Sequence, residues 1–199
     1  MHKLLRVFVC LGLIPTTSWT QDKPPPPARP IRVASTDVAP ADSTCDNVSP
    51  NLVANCGFES GDFNGWVVTG DLAYSGVADF AADSGAYGSY WGSIGNQAFL
   101  SQTIDTDSSQ TYQLWFSLKD TSDPDPSTTG STYFEARWNG TSLVTLQDSS
   151  AFDWRGYCFN VTPEASGSSL LRFVFRHDPA YFYLDDVMLI PSSDPCPSS

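Results

Sequence analysis

The sequence predicts an all-β fold, an antiparallel β-sandwich or jelly roll, on the basis of three observations. Short segments of alternating apolar and polar residues recur between clusters of Gly, Pro, Asn, Asp and Ser, at a spacing of about ten residues. No window shows sustained helical periodicity. The composition is 13% aromatic and rich in Ser, Thr and Asp, which suits strands and turns better than helices.

The N-terminus has the features of a secretory signal peptide. Lys3 and Arg6 form a short basic start, and the mostly apolar run from Leu4 to Leu13 is too short to span a bilayer. Small residues near Thr20 predict cleavage there, so residues 1–20 would be a signal peptide and the mature protein would be secreted and extracellular. No second apolar stretch follows, so we expect no membrane attachment.

Residues 21–44 are rich in proline and hold almost no large apolar side chains. Such a segment cannot bury enough surface to offset its ordering entropy, so it is predicted to be a disordered linker. The folded domain is predicted to run over residues 45–196, about 150 residues, which is enough for one hydrophobic core. Residues 197–199 would form a short tail.

Within the domain the pattern predicts about nine strands. Segment 111–119 alternates most clearly, with Tyr112, Leu114 and Phe116 on one face and Gln113 and Trp115 on the other. Residues 120–130, with two prolines and several aspartates, are predicted to be a long acidic loop. The predicted strands are 51–54, 66–69, 87–93, 111–119, 133–138, 142–146, 157–161, 170–176 and 181–189.

Four cysteines remain once the signal peptide and Cys10 are removed: Cys45, Cys56, Cys158 and Cys196. An even number in an exported chain implies two disulfides, for which three pairings are possible. No CxxC or Cys-His spacing occurs among them, so a structural zinc site is not expected.

The charge balance excludes two classes of partner. The chain holds 22 acidic and 10 basic residues and has a net charge of −12. Such a protein repels phosphate backbones and anionic lipid surfaces, so neither nucleic acid nor a membrane is expected as a partner. The charge suits an extracellular protein that stays soluble, and we expect a monomer.

Two stretches at opposite ends of the domain resemble a known family. Asn51-Leu-Val-Ala-Asn-Cys-Gly-Phe-Glu-Ser-Gly, followed by Asn64-Gly65-Trp66, resembles the opening of galactose-binding-like β-jelly-roll domains. Tyr181-Phe-Tyr-Leu-Asp-Asp-Val-Met-Leu resembles their closing strand, and 83–87 and 100–103 resemble motifs between them. The resemblance covers 51–190 and is closest to carbohydrate-binding modules of families 4, 9 and 22. It implies a galactose-binding-like jelly roll.

The resemblance also implies a structural calcium ion between the first turn and the last strand. Carried across residue by residue, its ligands would be Glu59, Asp185 or Asp186, and oxygens near Asp83. Calcium prefers six to eight hard oxygen ligands and accepts mixed carboxylate and carbonyl shells, which agrees with this set. The alternative is that these carboxylates only solvate loops.

The same resemblance implies a disulfide pairing. Because the first and last strands of this fold lie antiparallel, the residues before Asn51 and after Ile190 should come together. We therefore expect the pairs Cys45–Cys196 and Cys56–Cys158.

Catalytic motifs are weak in this sequence. His177, the one histidine after the signal peptide, lies beside Asp178 with no nucleophile elbow, and the simpler interpretation is a loop histidine before Pro179. A glycosidase needs two carboxylates that flank a cleft, and Glu135 is the one glutamate on a predicted sheet face. The sequence therefore predicts no enzyme and no catalytic residues.

A candidate ligand-binding face follows from the side chains opposite the apolar stripes. If their strands are neighbours in one sheet, aromatic rings would stack on sugar C–H faces while amides, carboxylates and guanidinium groups read hydroxyls. The basic members suggest an acidic ligand such as a uronic-acid polymer. Alternatively, the aromatics are core or cross-strand pairs and the basic residues pair with the acidic loop. The candidate residues are Trp115, Tyr133, Glu135, Arg137, Arg172 and Arg176.

The first hypothesis is therefore a secreted, non-catalytic protein, like a carbohydrate-binding module, that recognises a glycan or polysaccharide. The alternative is an extracellular structural or adhesive protein that uses the same fold to bind another protein or a matrix component.

Overall fold

The computed structural model describes residues 44–121, 130–178 and 180–197, which form an all-β sandwich. The predicted signal peptide, nearly all of the predicted linker and most of the acidic loop lie outside the described residues. Within the described ranges, no helix has the length and apolar character needed to cross a membrane. The predicted fold class is confirmed.

Ten strands are described, and all pair antiparallel in two five-stranded sheets. They are β1 (Val67–Gly70), β2 (Ser75–Ala78), β3 (Gly88–Trp91), β4 (Ala98–Asp105), β5 (Tyr112–Asp120), β6 (Thr132–Trp138), β7 (Thr141–Gln147), β8 (Phe152–Val161), β9 (Ser168–His177) and β10 (Phe182–Pro191). The first sheet has the order β1-β4-β9-β6-β7, and the second has the order β2-β3-β10-β5-β8.

The core lies between the two sheets and is built from the apolar stripes of their strands. On β5 the residues Tyr112, Leu114, Phe116 and Leu118 are buried and alternate with half-buried polar positions, as the sequence pattern predicts. Phe116 of the second sheet contacts Phe134 and Phe173 of the first, with ring centroids 5.9 Å and 5.2 Å apart. These ring contacts join the two layers and leave the outer face of each sheet available for function.

The strand predictions differ from the structure at a few places. Segment 51–54 is not a strand, because the side chain of Asn51, rather than its backbone, accepts a hydrogen bond from the N–H of Leu189. Neither the short β2 nor β4 was among the predicted strands, although the motif noted at 100–103 lies in β4. Strand β8 begins at Phe152, five residues before the predicted start. The sequence pattern missed these residues because they lie on an exposed sheet edge and do not alternate between apolar and polar.

The predicted disulfide pairing is wrong. The bonds are Cys45–Cys56 and Cys158–Cys196, with Cα atoms 6.0 Å and 5.7 Å apart. Cys45 donates its N–H to Asp186, and Cys56 accepts from the N–H of Val187, so both cysteines meet the middle of β10. Cys196 lies beyond the end of that strand, where the chain crosses to β8, so each cysteine pairs with its spatial neighbour.

Candidate functional site

Five of the six predicted binding residues lie together on the outer surface of the first sheet. Tyr133, Glu135 and Arg137 project outward from β6, and Arg172 and Arg176 project outward from the adjacent β9. Tyr133 lies opposite Arg176, and Arg137 lies opposite Arg172, in the antiparallel register. We call this surface, defined by these five residues, the arginine face.

Trp115 is not part of this surface, so the prediction of one face with six members is wrong. Its strand, β5, belongs to the second sheet, and its half-buried side chain lies on the opposite side of the sandwich. The indole Nε1 donates a hydrogen bond to Gln113 over 3.0 Å. The two-residue period of a strand identifies the side turned away from the core, but it does not tell which sheet the strand joins.

A network of hydrogen bonds holds the centre of the arginine face. The hydroxyl of Tyr133 and the Nη2 atom of Arg137 each donate to Oε2 of Glu135 over 2.7 Å. The Arg137 hydrogen bond is the largest effect that lowers the pKa of Glu135, to about 2, although burial opposes it. Glu135 is therefore ionised at neutral pH and cannot serve as the general acid of a glycosidase.

Arg176 is held in a fixed position at one end of the face. Its Nε and Nη2 atoms donate to the two carboxylate oxygens of Asp178 over 2.8 Å and 2.6 Å, which is a bidentate ion pair. Asp178 also accepts the N–H of Gly95 over 3.0 Å, so the same carboxylate anchors the turn before β4. The guanidinium plane is thus oriented before any ligand arrives.

A groove of about 390 Å³ opens beside Arg176 and Tyr133. Its lining is polar: planar amides, a guanidinium group and a phenol surround it, a combination that can read sugar hydroxyls. Sequence reasoning missed the three amides. Gln147 lies directly opposite Tyr133. The predicted strand 142–146 ended one residue too early to include it. The lining residues are Gly95, Asn96, Gln97, Ser131, Thr132, Tyr133, Gln147 and Arg176.

The residues predicted to bind calcium hold backbone amides in this structure. Asp185 is fully buried and accepts the N–H groups of Asp83, Ser84 and Asp186 over 2.8–3.2 Å. Asp186 accepts the N–H of Cys45 and the hydroxyl of Ser84. The carboxylate of Glu59 accepts the N–H groups of the residues at 86 and 87 over 3.0–3.1 Å.

A calcium ion needs oxygen ligands around a common centre, and in this structure these carboxylates act as acceptors for backbone and hydroxyl donors. The carboxylates of Glu59, Asp185 and Asp186 all accept hydrogen bonds. Asp83 donates its backbone N–H to Asp185. Among the described residues, one group of metal-type ligand atoms lies close together, Cys45, Asp46 and Cys56, and its two sulfurs form a disulfide. Calcium binding therefore stays a prediction, and no function is derived from it.

His177 is a buried residue at the end of β9, so its interpretation as a loop histidine is wrong. Its Nδ1 atom accepts the N–H of Ala180 over 3.0 Å, so Nε2 is the protonated nitrogen that donates to Asp120 over 2.8 Å. Ser149 donates to Asp120 and not to the histidine. The group ties the ends of β9 and β5 together, and both ring nitrogens of His177 are engaged in these hydrogen bonds.

The second sheet carries a different surface on its outer side. Aromatic rings cluster at one end of that sheet, and Tyr181 and Tyr183 are buried there while the others remain partly exposed. A Cβ atom at Gly76 would lie 2.6 Å from the Tyr90 hydroxyl, so the glycine makes room for that ring. We call this cluster the tyrosine patch: Tyr74, Phe80, Tyr90, Trp154, Tyr181 and Tyr183.

Comparisons with known proteins agree with this architecture. No protein-family model and no curated protein matches the sequence. The fold is similar to TmCBM61 in complex with β-1,4-galactotriose, with a TM-score of 0.58, 19% identity, and coverage of 72% of this chain and 100% of that chain.

Two further solved structures share the fold. The CBM22-1–CBM22-2 tandem of Paenibacillus barcinonensis Xyn10C has a TM-score of 0.51 and 14% identity, over 72% of this chain and 47% of that chain. The K1 cleaved adhesin domain of Lys-gingipain from Porphyromonas gingivalis W83 has a TM-score of 0.52 and 14% identity, over 69% of this chain and 96% of that chain. At these identities the similarity establishes the fold alone, and the predicted jelly roll of the kind found in carbohydrate-binding modules is confirmed.

Proposed function

We propose that this protein is a secreted, non-catalytic carbohydrate-binding domain that holds a glycan on the arginine face. The groove beside Tyr133 and Arg176 carries the proposal, because it combines an aromatic ring with planar hydrogen-bonding groups in a cavity of about 390 Å³. Sites for small polar ligands have this size and this mixture of groups. The similar fold of a module solved with β-1,4-galactotriose supports the same ligand class.

The neighbouring side chains suit a sugar chain that extends beyond the groove. Phe99 of β4 lies half-buried on the outer surface, opposite Val174 of β9, which is buried next to Glu135. The partly exposed Phe99 ring can accept the C–H face of a pyranose ring, and the polar groups nearby can accept from or donate to its hydroxyls. The face thus offers both kinds of contact along two adjacent strands.

Export and the absence of catalysis have separate support. The two disulfides suit an oxidising compartment, which agrees with the signal-peptide features of the first twenty residues. In the described part of the chain, Glu135 stays ionised between Arg137 and Tyr133, and both ring nitrogens of His177 are engaged in hydrogen bonds. Neither group is poised to transfer a proton.

Gln147→Ala tests the proposal, because this exposed amide lines the groove and can leave without disturbing the core. Affinity for the glycan that binds best among β-1,4-galactan, xylan and pectins should fall about 3- to 10-fold, which corresponds to one neutral hydrogen bond. The melting temperature should not change. Gln110→Ala, which removes an exposed amide from the turn before β5, is the matched control and should bind as the wild type does. Wild-type protein that retains none of these polysaccharides at millimolar concentration would refute the proposal.

The tyrosine patch favours a second candidate function, adhesion to another protein or to matrix. Tyrosine and tryptophan side chains with partly exposed rings are enriched at the centres of protein interfaces. Trp154→Ala should then abolish attachment to an immobilised matrix protein and leave glycan binding intact, whereas Gln147→Ala should do the reverse.

A further inference from the structure

We infer that the arginine face selects glycans that carry anionic groups, carboxylate or sulfate, and that Arg137 and Arg172 form the anion site. This inference rests on the proposed function and adds the ligand class to it. Three observations carry it: the register of the two arginines, the unpartnered N–H groups they share, and the charge around them.

The first observation is the register. Arg172 of β9 lies directly opposite Arg137 of β6, and like charges placed opposite each other destabilise a sheet. Ser101 lies beside Arg172 on β4, and Ser142 lies beside Arg137 on β7, in the same row. The hydroxyl of Ser101 donates to the carbonyl of Val67, and that of Ser142 pairs with Thr145, so the two adjacent guanidinium groups are the donors in this row that suit the oxygens of an anion.

The second observation is that two donors in this row lack acceptors. The Nε atoms of Arg137 and Arg172 are both buried and have no hydrogen-bond partner in the described structure. A buried N–H without an acceptor costs free energy, and a guanidinium edge containing Nε matches the two oxygens of a carboxylate or sulfate. A bound anion would offset the repulsion between the two arginines, and it would pair with the buried Nε donors once the guanidinium groups turn outward.

The third observation is the charge. Glu135 compensates Arg137, and Asp178 compensates Arg176, whereas Arg172 has no carboxylate partner within the described ranges. The guanidinium carbon of Arg172 lies 5.9 Å from the centroid of the Phe99 ring, a cation–π contact that fixes its position. An uncompensated cation is therefore held in place on a protein whose net charge is −12. Long-range repulsion by that net charge opposes polyanions, so a preference for them must come from local contacts.

The experiment uses the full chain and matched pairs of polysaccharides. Polygalacturonate and its fully methyl-esterified form differ by the carboxylate charge, and dextran sulfate and dextran differ by sulfate. In at least one pair the charged member should bind about tenfold or more tightly at low salt, and the difference should shrink as salt screens the contact. The pair that shows the preference identifies carboxylate or sulfate as the recognised group.

Variants then assign the preference to the anion site. Arg172→Gln should weaken binding of the charged member about 10- to 100-fold, as expected for a charge-assisted hydrogen bond, and weaken binding of the neutral member far less. Arg172→Lys keeps the charge but not the planar fork and should lose part of the preference. Arg155→Gln removes an exposed charge that lies over the Phe152 ring on the second sheet, and it should have no effect.

The outcomes separate this inference from the proposed function. Equal affinity for both members of each pair, with Gln147→Ala still weakening the binding, overturns the inference and leaves glycan binding in place. An unchanged preference in folded Arg172→Gln and Arg172→Lys proteins also overturns it. Absence of binding to all four polysaccharides and to the galactan, xylan and pectin panel overturns both.

Discussion

Two buried carboxylates of this domain have pKa values shifted in opposite directions. On the arginine face, the hydrogen bond from Arg137 lowers the pKa of Glu135 to about 2. In β10, burial and then the negative charge of Asp186 raise the pKa of Asp185 to about 8, although backbone N–H groups oppose the shift. Both carboxylates accept several hydrogen bonds, so the number of donors does not explain the difference.

The difference lies in what each carboxylate holds. Glu135 has a cationic partner and lies at the base of an open surface, so its charge orients Arg137 and Tyr133 toward solvent. Asp185 has an anionic neighbour and no water contact, and it holds backbone amides at a bulge where Asp186 adopts a positive φ of 50°. The first carboxylate prepares a binding surface, and the second fastens the 83–84 loop to the last strand.

Asp185→Ala should produce the largest loss of stability. Three backbone N–H groups would lose their buried acceptor, at a combined cost of about 3–5 kcal/mol in the free energy of unfolding. Denaturant unfolding measures this change. Asp153→Ala, which removes an exposed carboxylate that pairs with Lys119, should cost about 1 kcal/mol or less. Similar losses in the two variants would contradict the fastening role.

The pH dependence of stability should separate the two carboxylates next. Asp185 titrates near 4 when unfolded and near 8 when folded, so the folded state holds an extra proton between these values. This proton's contribution to the free energy of unfolding is complete below about pH 4. It is lost as the pH rises to about 8, a decrease of up to about 5 kcal/mol. Asp185→Asn, which keeps an oxygen acceptor but does not titrate, should flatten this slope. A wild-type protein with no loss of stability over this range would contradict the raised pKa.

Glu59 tests whether its carboxylate holds amides or an ion. In the structure, one oxygen atom accepts the N–H groups of both Ala86 and Tyr87, and a glutamine oxygen can replace it. Glu59→Gln should therefore lose less stability than Glu59→Ala, whose cost we expect to be about 1–3 kcal/mol. If calcium binds there instead, the two variants should be equally harmful and a chelator should lower the melting temperature.

Glu135→Gln should cost less stability than Asp185→Ala, about 1–2 kcal/mol, because its partner Arg137 is partly exposed and solvent weakens the ion pair. The pKa of Glu135 is lower in the folded state than in the unfolded state. Its contribution to stability is therefore present above about pH 4.5 and disappears as the pH falls toward 2. The variant should lose this acid dependence in thermal melts between pH 5 and pH 2. Glu164→Gln, in an exposed turn, should keep it.

The sequence by itself determined the class of fold and the side of several strands that faces the core. Alternation on β5, β6 and β9 placed Phe116, Phe134 and Phe173 inside and the polar residues between them outside, because side chains alternate across a strand whatever its neighbours are. The motifs at the two ends of the domain added, through their resemblance to a known family, the expectation of a galactose-binding-like jelly roll.

Only the tertiary structure decided which of these residues meet. Trp115 and Tyr133 have equivalent positions in their own patterns, yet pairing between distant strands places them on opposite sides of the sandwich. The partners of the cysteines and of the carboxylates at 59, 185 and 186 depend in the same way on long-range contacts with β10. Sequence periodicity reports how a residue lies relative to its own strand, whereas a binding site depends on which strands become neighbours.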